Sequence, residues 1–292
     1  MEKIGIVGLG TMGSAIARNI LTGGYSLLLY DIRPEATAEL AGERAQAAAS
    51  LQEMGAQADT VLMVVNTYAH CKSAMSGLLE TMRPGGVIIN LSTIAMDEAE
   101  ALEKMAQERE IRMLDCPMSG GSAGARDGTL TLMAAGPDIL FEQHLPLFRT
   151  FAKNIVHVGP KAGQGQAVKA INQLLVGVHM CAAAEAFTLA KQCGLDLQMV
   201  YDVIRVSAGN SRIFENRGQF LIDRDFSTRS TLQIQLKDTS IACRTAEAVG
   251  SPALLGGVAR ELFRLAVGKY PPTDDSIEVA RLYEELCRQQ TS

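Results

Sequence analysis

The feature that most constrains this chain is a glycine-rich turn near its beginning. Four apolar residues, Ile4–Val7, lead into Gly8-Leu9-Gly10-Thr11-Met12-Gly13 and then into an amphipathic helical pattern. In a strand–turn–helix unit the first glycine permits a tight turn, the second lets the backbone approach a pyrophosphate, and the third lets helix and strand pack closely. The segment therefore predicts a Rossmann-type unit in which these six residues bind a dinucleotide.

The pattern around this turn divides the chain into two halves. Buried strands are predicted at Ile4–Val7, Leu27–Tyr30, Thr60–Val65, Val87–Leu91, Met113–Asp115 and Asn154–Val158, with helical patterns between them. Such alternation indicates a parallel sheet covered by helices on both faces. We therefore predict an α/β N-terminal Rossmann dinucleotide-binding domain over residues 1–162.

After Gly163 the pattern becomes helical. Helices are predicted at Gln166–Cys193, Leu197–Val206, Thr231–Val249, Ala253–Val267 and Asp275–Arg288. Ser251-Pro252 fits a helix start, with the hydroxyl as N-cap and proline at the first helical position. We therefore predict an all-α C-terminal domain over residues 163–292, which begins with a long interdomain helix and serves in substrate binding and oligomerisation.

Residues at the ends of the predicted strands are candidates for contact with the dinucleotide, and one of them indicates whether it is NAD or NADP. Asp31 ends the second strand, where a carboxylate can accept hydrogen bonds from the adenosine ribose and repel a 2′-phosphate. NAD is therefore expected rather than NADP, although nearby Arg33 could accommodate that phosphate. Because ligands bind beyond the carboxyl ends of parallel strands, Val64, Val65 and Thr93 are also predicted to contact the cofactor.

Composition excludes several other classes of protein. Hydrophobic residues make up 47% of the 292 residues, and the formal net charge of −5 argues against a nucleic-acid partner. The six cysteines form no CxxC pair, and no His/Cys cluster has metal-ligand spacing, so reduced thiols and no metal are expected. No signal-peptide pattern precedes the first strand, and polar residues interrupt the apolar stretch 170–190. A cytoplasmic protein without a membrane-spanning segment is therefore expected.

Four segments together resemble the β-hydroxyacid dehydrogenase family, the relatives of 3-hydroxyisobutyrate dehydrogenase. They are the glycine-rich turn, Asp115-Cys116-Pro117-Met118-Ser119-Gly120-Gly121, Gly163-Gln164-Gly165-Gln166-Ala167-Val168-Lys169-Ala170-Ile171-Asn172, and Lys237-Asp238. Within the family, residues 173–179, 208–211 and 214–217 are similar to those of the L-threonate dehydrogenases. The resemblance implies an NAD-dependent enzyme that oxidises a small anionic hydroxy acid, best matched by a sugar acid such as L-threonate.

The resemblance also implies a role for individual residues. Lys169 would be the catalytic acid/base, and Lys237 would lie near the nicotinamide. Since an exposed lysine has a pKa near ~10.4, we expect desolvation or a second cation, with Lys237 as the candidate, to make Lys169 a usable base. The predicted substrate-binding residues are Ser119, Gly120, Gly121, Asn172, Gln173 and Asn210, with Arg212 as a further candidate. Ser119-Gly120-Gly121 offers bare backbone N–H groups and a hydroxyl for a carboxylate.

Three alternatives stay open at this point. The enzyme could act on 3-hydroxyisobutyrate, or it could work as a reductase of an aldehyde acid such as tartronate semialdehyde. A third reading is a dinucleotide-binding sensor without turnover, which would not need Lys169, Asn172 or the segment at Ser119. Relatives associate through the helical domain, so a homodimer or homotetramer is expected.

Overall fold

The alternation of strands and helices is present in the computed structural model, which describes residues 3–289. The first part contains β1 (Ile4–Val7), α1 (Thr11–Thr22), β2 (Leu27–Tyr30), α2 (Pro34–Ala38), β3 (Ala45–Ala47), α3 (Leu51–Gln57), β4 (Thr60–Met63), α4 (Tyr68–Leu79), β5 (Val87–Asn90), α5 (Met96–Gln107), β6 (Arg112–Asp115), β7 (Met118–Ser119), α6 (Gly121–Arg126), β8 (Leu130–Ala135), α7 (Asp138–Phe148) and β9 (Ala152–Gly159). The second part contains α8 (Gln164–Gln192), α9 (Leu197–Ile204), α10 (Arg212–Asp223), α11 (Leu232–Ala248), α12 (Leu254–Lys269), a 3₁₀ turn (Ser276–Glu278) and α13 (Val279–Gln289). Predictions for residues 1–2 and 290–292 lie outside the described residues.

The strands of the described chain form one sheet with the strand order of a Rossmann fold. From β3 through β2, β1, β4 and β5 to β6 all neighbours are parallel, with Ile4 opposite both Leu27 and Thr60. Alternate residues point to opposite faces, so Ile4 and Ile6 pack into one core and Val7 into the other. Both faces are covered, which explains why these strands are apolar without interruption. The predicted α/β class with a Rossmann domain is confirmed.

At one edge the sheet is not parallel, unlike the predicted sheet. Strand β8 runs antiparallel to β6 and β7, while β9 is parallel to β8. The strand β8 was not predicted from the sequence, nor were the short strands β3 and β7. Strand β8, Leu130–Ala135, is a short and mostly buried apolar run. Such runs do not distinguish a strand from a helix.

The chain divides into two compact units after Lys169, inside helix α8. The sequence-based boundary falls earlier, after residue 162. The two differ because the first turn of α8 is fastened to the sheet unit: the Gln166 side chain donates to the Ser92 carbonyl and to Asp115. Helix α8 is therefore shared, with its beginning in the first unit and most of its length in the second.

The regular elements in the described part of the second unit are helices, as predicted. One predicted helix start was wrong, and one helix was not predicted. Ser251-Pro252 does not start a helix: α12 begins at Leu254 after Ala253. Gly250 instead adopts φ +67°, and the Ser251 N–H donates to the Ala246 carbonyl, which closes the end of α11. Helix α10 was missed because its polar, glycine-containing sequence weakens the helical signal, although the Ser211 hydroxyl caps it by accepting from the Phe214 N–H.

Helix α8 is long and apolar enough to cross a membrane if only length and composition are counted, and half of its most apolar stretch is buried. The prediction of a buried helix thus holds for one face, which includes Met180, Ala184 and Phe187. Ile171 and Leu175, by contrast, are exposed. Core helices of soluble proteins pass the same length test, so this is weak evidence for a membrane segment.

Candidate functional site

The glycine-rich turn has the geometry that its sequence predicts. Gly8 adopts φ +93°, and a Cβ on Gly13 would overlap the carbonyl oxygen of Gly8. Both positions therefore require glycine. Gly10 is different, because a Cβ added there would meet no atom within 4 Å. The backbone at Gly10 thus borders open space, which is what a closely approaching pyrophosphate needs.

The beginning of α1 is suited to an anion. Gly10 is the N-cap residue and offers no side-chain cap, and the first turn contains no acidic residue. The N–H groups at the start of this helix, from Thr11 and Met12, therefore have no carboxylate competing for them. These features fit a dinucleotide whose phosphates bind at the helix N-terminus.

Asp31 joins the turn to the end of β2. Its Oδ2 accepts from the Leu9 N–H at 2.7 Å, and its Oδ1 accepts from the Arg33 N–H at 2.9 Å and the Arg33 Nε at 3.2 Å. Burial acts to raise the pKa of Asp31, but the hydrogen bonds from Leu9 and Arg33 outweigh it and lower the pKa. Asp31 is therefore ionised at neutral pH, and the Arg33 guanidinium is paired with it.

The other predicted cofactor residues of this unit meet at the same edge of the sheet. The Val64 N–H continues the strand pairing to the Val7 carbonyl, and the Val65 N–H donates to the Ser92 hydroxyl at 3.0 Å. Thr93 follows Ser92 and is half-buried. The loops after β1, β2, β4 and β5 are thus brought together, as the sequence predicted.

The predicted carboxylate-binding segment begins at the end of β7. Ser119 is the last residue of that strand; Gly120, the N-cap of α6, has φ +131°, and Gly121, its first residue, has φ +62°. Such positive φ values explain the two glycines. All three residues are partly or fully exposed.

Lys169 lies in the second turn of α8 and its side chain is buried, with 6% exposed. One turn before it, Gln166 is anchored by Asp115, which is fully buried at the end of β6. Burial raises the pKa of Asp115 to about 6, against hydrogen bonds from Gln166, Gly163 and Asn90. No role for Asp115 or Gln166 was predicted, because their contact joins residues 51 apart in the sequence.

In the second unit, four polar side chains form a connected chain. The Asn172 Nδ2 donates to the Gln173 Oε1 at 2.8 Å, and the Gln173 Nε2 donates to the Asp238 Oδ2 at 2.5 Å. The other Asp238 oxygen lies 3.2 Å from the Lys237 Nζ. The structure therefore joins three predicted residues, Asn172, Gln173 and Lys237, through Asp238, whose linking role the sequence did not reveal.

Asn210 has a structural contact and one unfilled acceptor. Its Nδ2 donates to the Arg205 carbonyl at 2.9 Å, which closes the loop after α9. Its buried Oδ1 has no hydrogen-bond partner within residues 3–287. Nearby in the sequence, Arg212 begins α10 and is exposed. Asn210 thus has one unpaired acceptor, and no described contact links it to Asn172 or Gln173.

A separate cleft of about 520 Å³ lies at the opposite edge of the sheet, at the amino ends of β4, β5 and β6. Arg83, Arg112 and His144 are among its lining residues. Arg112 already donates to the Gly85 carbonyl, and His144 bonds to Thr60 and the Leu140 carbonyl. Because ligands of such sheets bind at the carboxyl ends, we assign this cleft no role in the chemistry. Within residues 3–289, no group of three His, Cys, Asp or Glu side chains could hold a metal ion.

Two family models match the chain, one for each part. Residues 3–159 match the NAD-binding domain of 6-phosphogluconate dehydrogenase, and residues 163–283 match the NAD-binding domain of NADP-dependent 3-hydroxyisobutyrate dehydrogenase. The first match includes the glycine turn and Asp31. The second begins at the turn that leads into Lys169.

Individual relatives are similar over nearly their whole length. The L-threonate dehydrogenase of Cupriavidus necator is 34% identical, with 97% of this chain and 96% of the relative covered. The NAD-dependent L-serine dehydrogenase of Pseudomonas aeruginosa is also 34% identical, with 97% and 98% covered. The crystal structure of 3-hydroxyisobutyrate dehydrogenase from Salmonella typhimurium superposes with a TM-score of 0.88 at 36% identity, covering 97% of this chain and all of that chain.

Proposed function

Because the chain belongs to the 3-hydroxyisobutyrate dehydrogenase family of NAD(P)-binding hydroxyacid dehydrogenases, we propose that it oxidises a small sugar acid, L-threonate, with NAD as hydride acceptor. The bound nicotinamide supplies the hydride chemistry. Lys169, as the neutral amine, accepts the proton of the substrate hydroxyl when the hydride leaves carbon. In the reverse direction the ammonium donates this proton to the forming alkoxide.

The observation that carries this proposal is the burial of Lys169 on the helix whose first turn is fastened to the dinucleotide-binding unit. A lysine side chain is rarely buried without a specific reason. Ser119, Gly120 and Gly121 bind the substrate carboxylate in this proposal, while Asn172, Gln173 and Asn210 orient its hydroxyls. Lys237, paired with Asp238, contacts the nicotinamide region.

The acid/base role is tested with Lys169→Ala. We expect kcat to fall by at least ~10², since general acid–base catalysis contributes that much, while the Kd for NAD changes less than about twofold. Lys72→Ala is the matched control, because Lys72 is exposed on α4. A Lys169→Ala enzyme with the kcat of the control would refute the role.

The substrate is tested by measuring kcat/KM for L-threonate, L-serine, 3-hydroxyisobutyrate and D-glycerate with NAD. The proposal expects L-threonate to be preferred. L-serine is the second candidate, because a relative named for that activity is equally identical. Reduction of tartronate semialdehyde with NADH tests the opposite direction. Tight NAD binding without turnover on any compound would favour the sensor.

The preference for NAD is carried in this proposal by Asp31, whose carboxylate repels a 2′-phosphate. Arg33 is held in an ion pair with Asp31 at 3.2 Å, which reduces its capacity to bind that phosphate. Asp31→Ser is expected to lower the ratio of kcat/KM with NAD to kcat/KM with NADP by roughly tenfold, because it removes one negative charge that faces the 2′-phosphate dianion of NADP. An unchanged ratio would show that Asp31 does not select the cofactor.

The helical unit also supports the proposal of a homodimer or homotetramer. Leu254, Leu255 and Val258 are exposed together at the start of α12, and apolar surface of this kind is typical of subunit interfaces. Light scattering after size-exclusion chromatography gives the mass in solution. Leu255→Lys is expected to lower that mass, and a monomeric wild-type protein would contradict the proposal.

A further inference from the structure

The carboxylate of Asp115 is buried completely and receives four N–H donors. Its Oδ2 accepts from the backbone N–H groups of Gly163 at 3.1 Å and Gln166 at 3.3 Å. Its Oδ1 accepts from the Gln166 Nε2 at 2.6 Å and from the Asn90 Nδ2 at 3.4 Å. A buried carboxylate is tolerated only when such donors compensate for lost hydration. Asp115 therefore ties three elements together: β5, β6 and the start of α8.

Asp115 performs for α8 the task that an N-cap side chain usually performs. The residue before α8 is Gly163, which has no side chain and adopts φ +89°. The first N–H groups of a helix need acceptors, and a carboxylate also interacts favourably with the helix dipole. Asp115 supplies this acceptor from β6, so the position of the first turn depends on a residue 48 positions away.

Gln166 connects the same turn to the loop after β5. Its Oε1 accepts from the Ile94 N–H at 3.1 Å, and its Nε2 donates to the Ser92 carbonyl at 2.9 Å as well as to Asp115. Both amide hydrogens and the carbonyl of this buried side chain are thus used. Thr93, a predicted cofactor contact, lies between the two loop residues that Gln166 holds.

Backbone packing fixes the turn further. A Cβ on Gly165 would lie 2.5 Å from the Met133 carbonyl oxygen and 2.8 Å from that of Asp115. The helix therefore passes directly over the backbone of β6 and β8. Lys169 follows Gly165 by four residues and Gln166 by three, so the direction of its side chain is set by this fastened turn.

We propose that Asp115 is a positioning residue for the reaction, which holds Lys169 in place by capping the first turn of α8 and by orienting Gln166. This inference rests on the proposed function, in which Lys169 is the acid/base group. Asp115 itself does not touch the substrate in this proposal. Its contribution is geometric, since a misplacement of about 1 Å can lower a rate by 10²-fold.

The kinetic test is Asp115→Asn. Asparagine keeps the shape but replaces one acceptor oxygen by an NH₂ group, so two of the four donors then face another donor. We expect kcat to fall by roughly tenfold or more, while the KM for the dinucleotide stays within about twofold because residues 8–13 and Asp31 are untouched. The matched control is Thr60→Val, which removes a buried 3.2 Å hydrogen bond to His144 at the amino end of β4. It should leave kcat unchanged.

A second readout does not depend on the substrate. Trace acetylation followed by peptide mass spectrometry gives the labelling rate of each lysine. Lys169 should label several-fold faster in Asp115→Asn than in wild type, while Lys72 and Lys161 label equally in both. If Asp115→Asn lacks the wild-type circular dichroism spectrum, Gln166→Met replaces it, with the same expectations for kcat and for the labelling of Lys169.

The outcomes separate the two claims. Labelling of Lys169 and a kcat that both match Thr60→Val would overturn the positioning role, even if Lys169→Ala is inactive. If Lys169→Ala retains its turnover, the acid/base role fails. The labelling rate then still decides whether Asp115 fixes the Lys169 side chain: faster labelling supports this, and an unchanged rate overturns it.

Discussion

Asp115 of the first unit and Asp238 of the second are both buried, and they differ in how completely their oxygens are hydrogen-bonded. Asp115 accepts from four N–H groups, so both of its oxygens are satisfied. Asp238 accepts from Gln173 through one oxygen, while the other faces the Lys237 ammonium at 3.2 Å without hydrogen-bond alignment. The hydrogen bonds to Asp115 are complete, whereas Asp238 can accept a further hydrogen bond.

The difference extends beyond these two residues. Among the side chains of residues 3–287, the buried atoms without a hydrogen-bond partner all belong to the second unit: Asn210 Oδ1, Arg217 Nη1, Gln235 Nε2, Asp238 Oδ1, Thr245 Oγ1 and Ser276 Oγ. In folded proteins, buried polar atoms nearly always form a hydrogen bond with another protein group, with water or with a ligand. The unpaired buried polar atoms of the described residues are therefore concentrated in the helical unit, although Asp275 of that unit accepts from the N–H groups of Arg229, Ser230 and Ile277.

The largest expected contrast lies between two glycines of α8. Gly165→Ala places a methyl group against backbone oxygens of the sheet unit, whereas Gly177→Ala meets the Thr239 methyl group, a side chain. The Met133 and Asp115 carbonyl groups belong to strands and cannot move without disturbing the sheet. Gly165→Ala should therefore lower the free energy of unfolding by about 3 kcal/mol, at the upper end for overpacking. Gly177→Ala should cost less, about 1 to 2 kcal/mol, because only the Thr239 side chain has to move and alanine favours a helix. Urea unfolding measures both, and equal losses would contradict the contrast.

Asp238→Asn should separate activity from stability. The amide NH₂ would face either Lys237 or Gln173, so the connected side chains lose their arrangement. We expect kcat/KM for the hydroxy acid to fall by roughly 10²-fold, the scale of a misplaced group. Stability should change by less than about 1 kcal/mol, since the network is incompletely satisfied at the start. A variant with normal kcat/KM would show that Asp238 does not organise the site.

Two buried glutamines offer a matched pair of substitutions to methionine. Gln166 uses all its amide groups, whereas Gln235 has a buried Nε2 without a hydrogen-bond partner among the described residues. Gln166→Met should lower the free energy of unfolding by about 2 kcal/mol, because it leaves buried partners unsatisfied. Gln235→Met should be neutral within about 0.5 kcal/mol or stabilising, since it removes an unpaired group. Thermal and urea unfolding report both values, and a reversed order would break the comparison.

The smallest expected effect is a dependence of stability on pH. Burial raises the pKa of Asp115 from 3.8 to about 6, so the folded state binds a proton more tightly than the unfolded state does. Stability from this group therefore falls as the pH rises from about 4 to about 6 and is constant above that window. Relative to Asp115→Asn, wild type should gain free energy of unfolding between pH 7.5 and pH 5. A difference independent of pH would contradict the raised pKa.

The same two regions show why some contacts could be predicted and others could not. The turn at residues 8–13 and the carboxylate of Asp31 are encoded locally, by glycine spacing and by the end of an apolar strand. The link between Gln173 and Asp238 joins positions 65 apart, and nothing in the spacing of either segment reveals it. Ser251-Pro252 shows the converse, because its local helix-start pattern was overridden by the Gly250 turn that closes α11.

Periodicity and short-range backbone geometry were enough to predict β1, β2, β4, β5, β6 and β9, the dinucleotide turn, and most of the helices after residue 163. The antiparallel direction of β8, the capping of α8 by Asp115 and the link from Gln173 through Asp238 to Lys237 depend on long-range packing. These contacts join residues that are far apart in the sequence, and their pairing depends on how the elements pack. Local sequence patterns do not indicate which distant residue will form a given buried hydrogen bond.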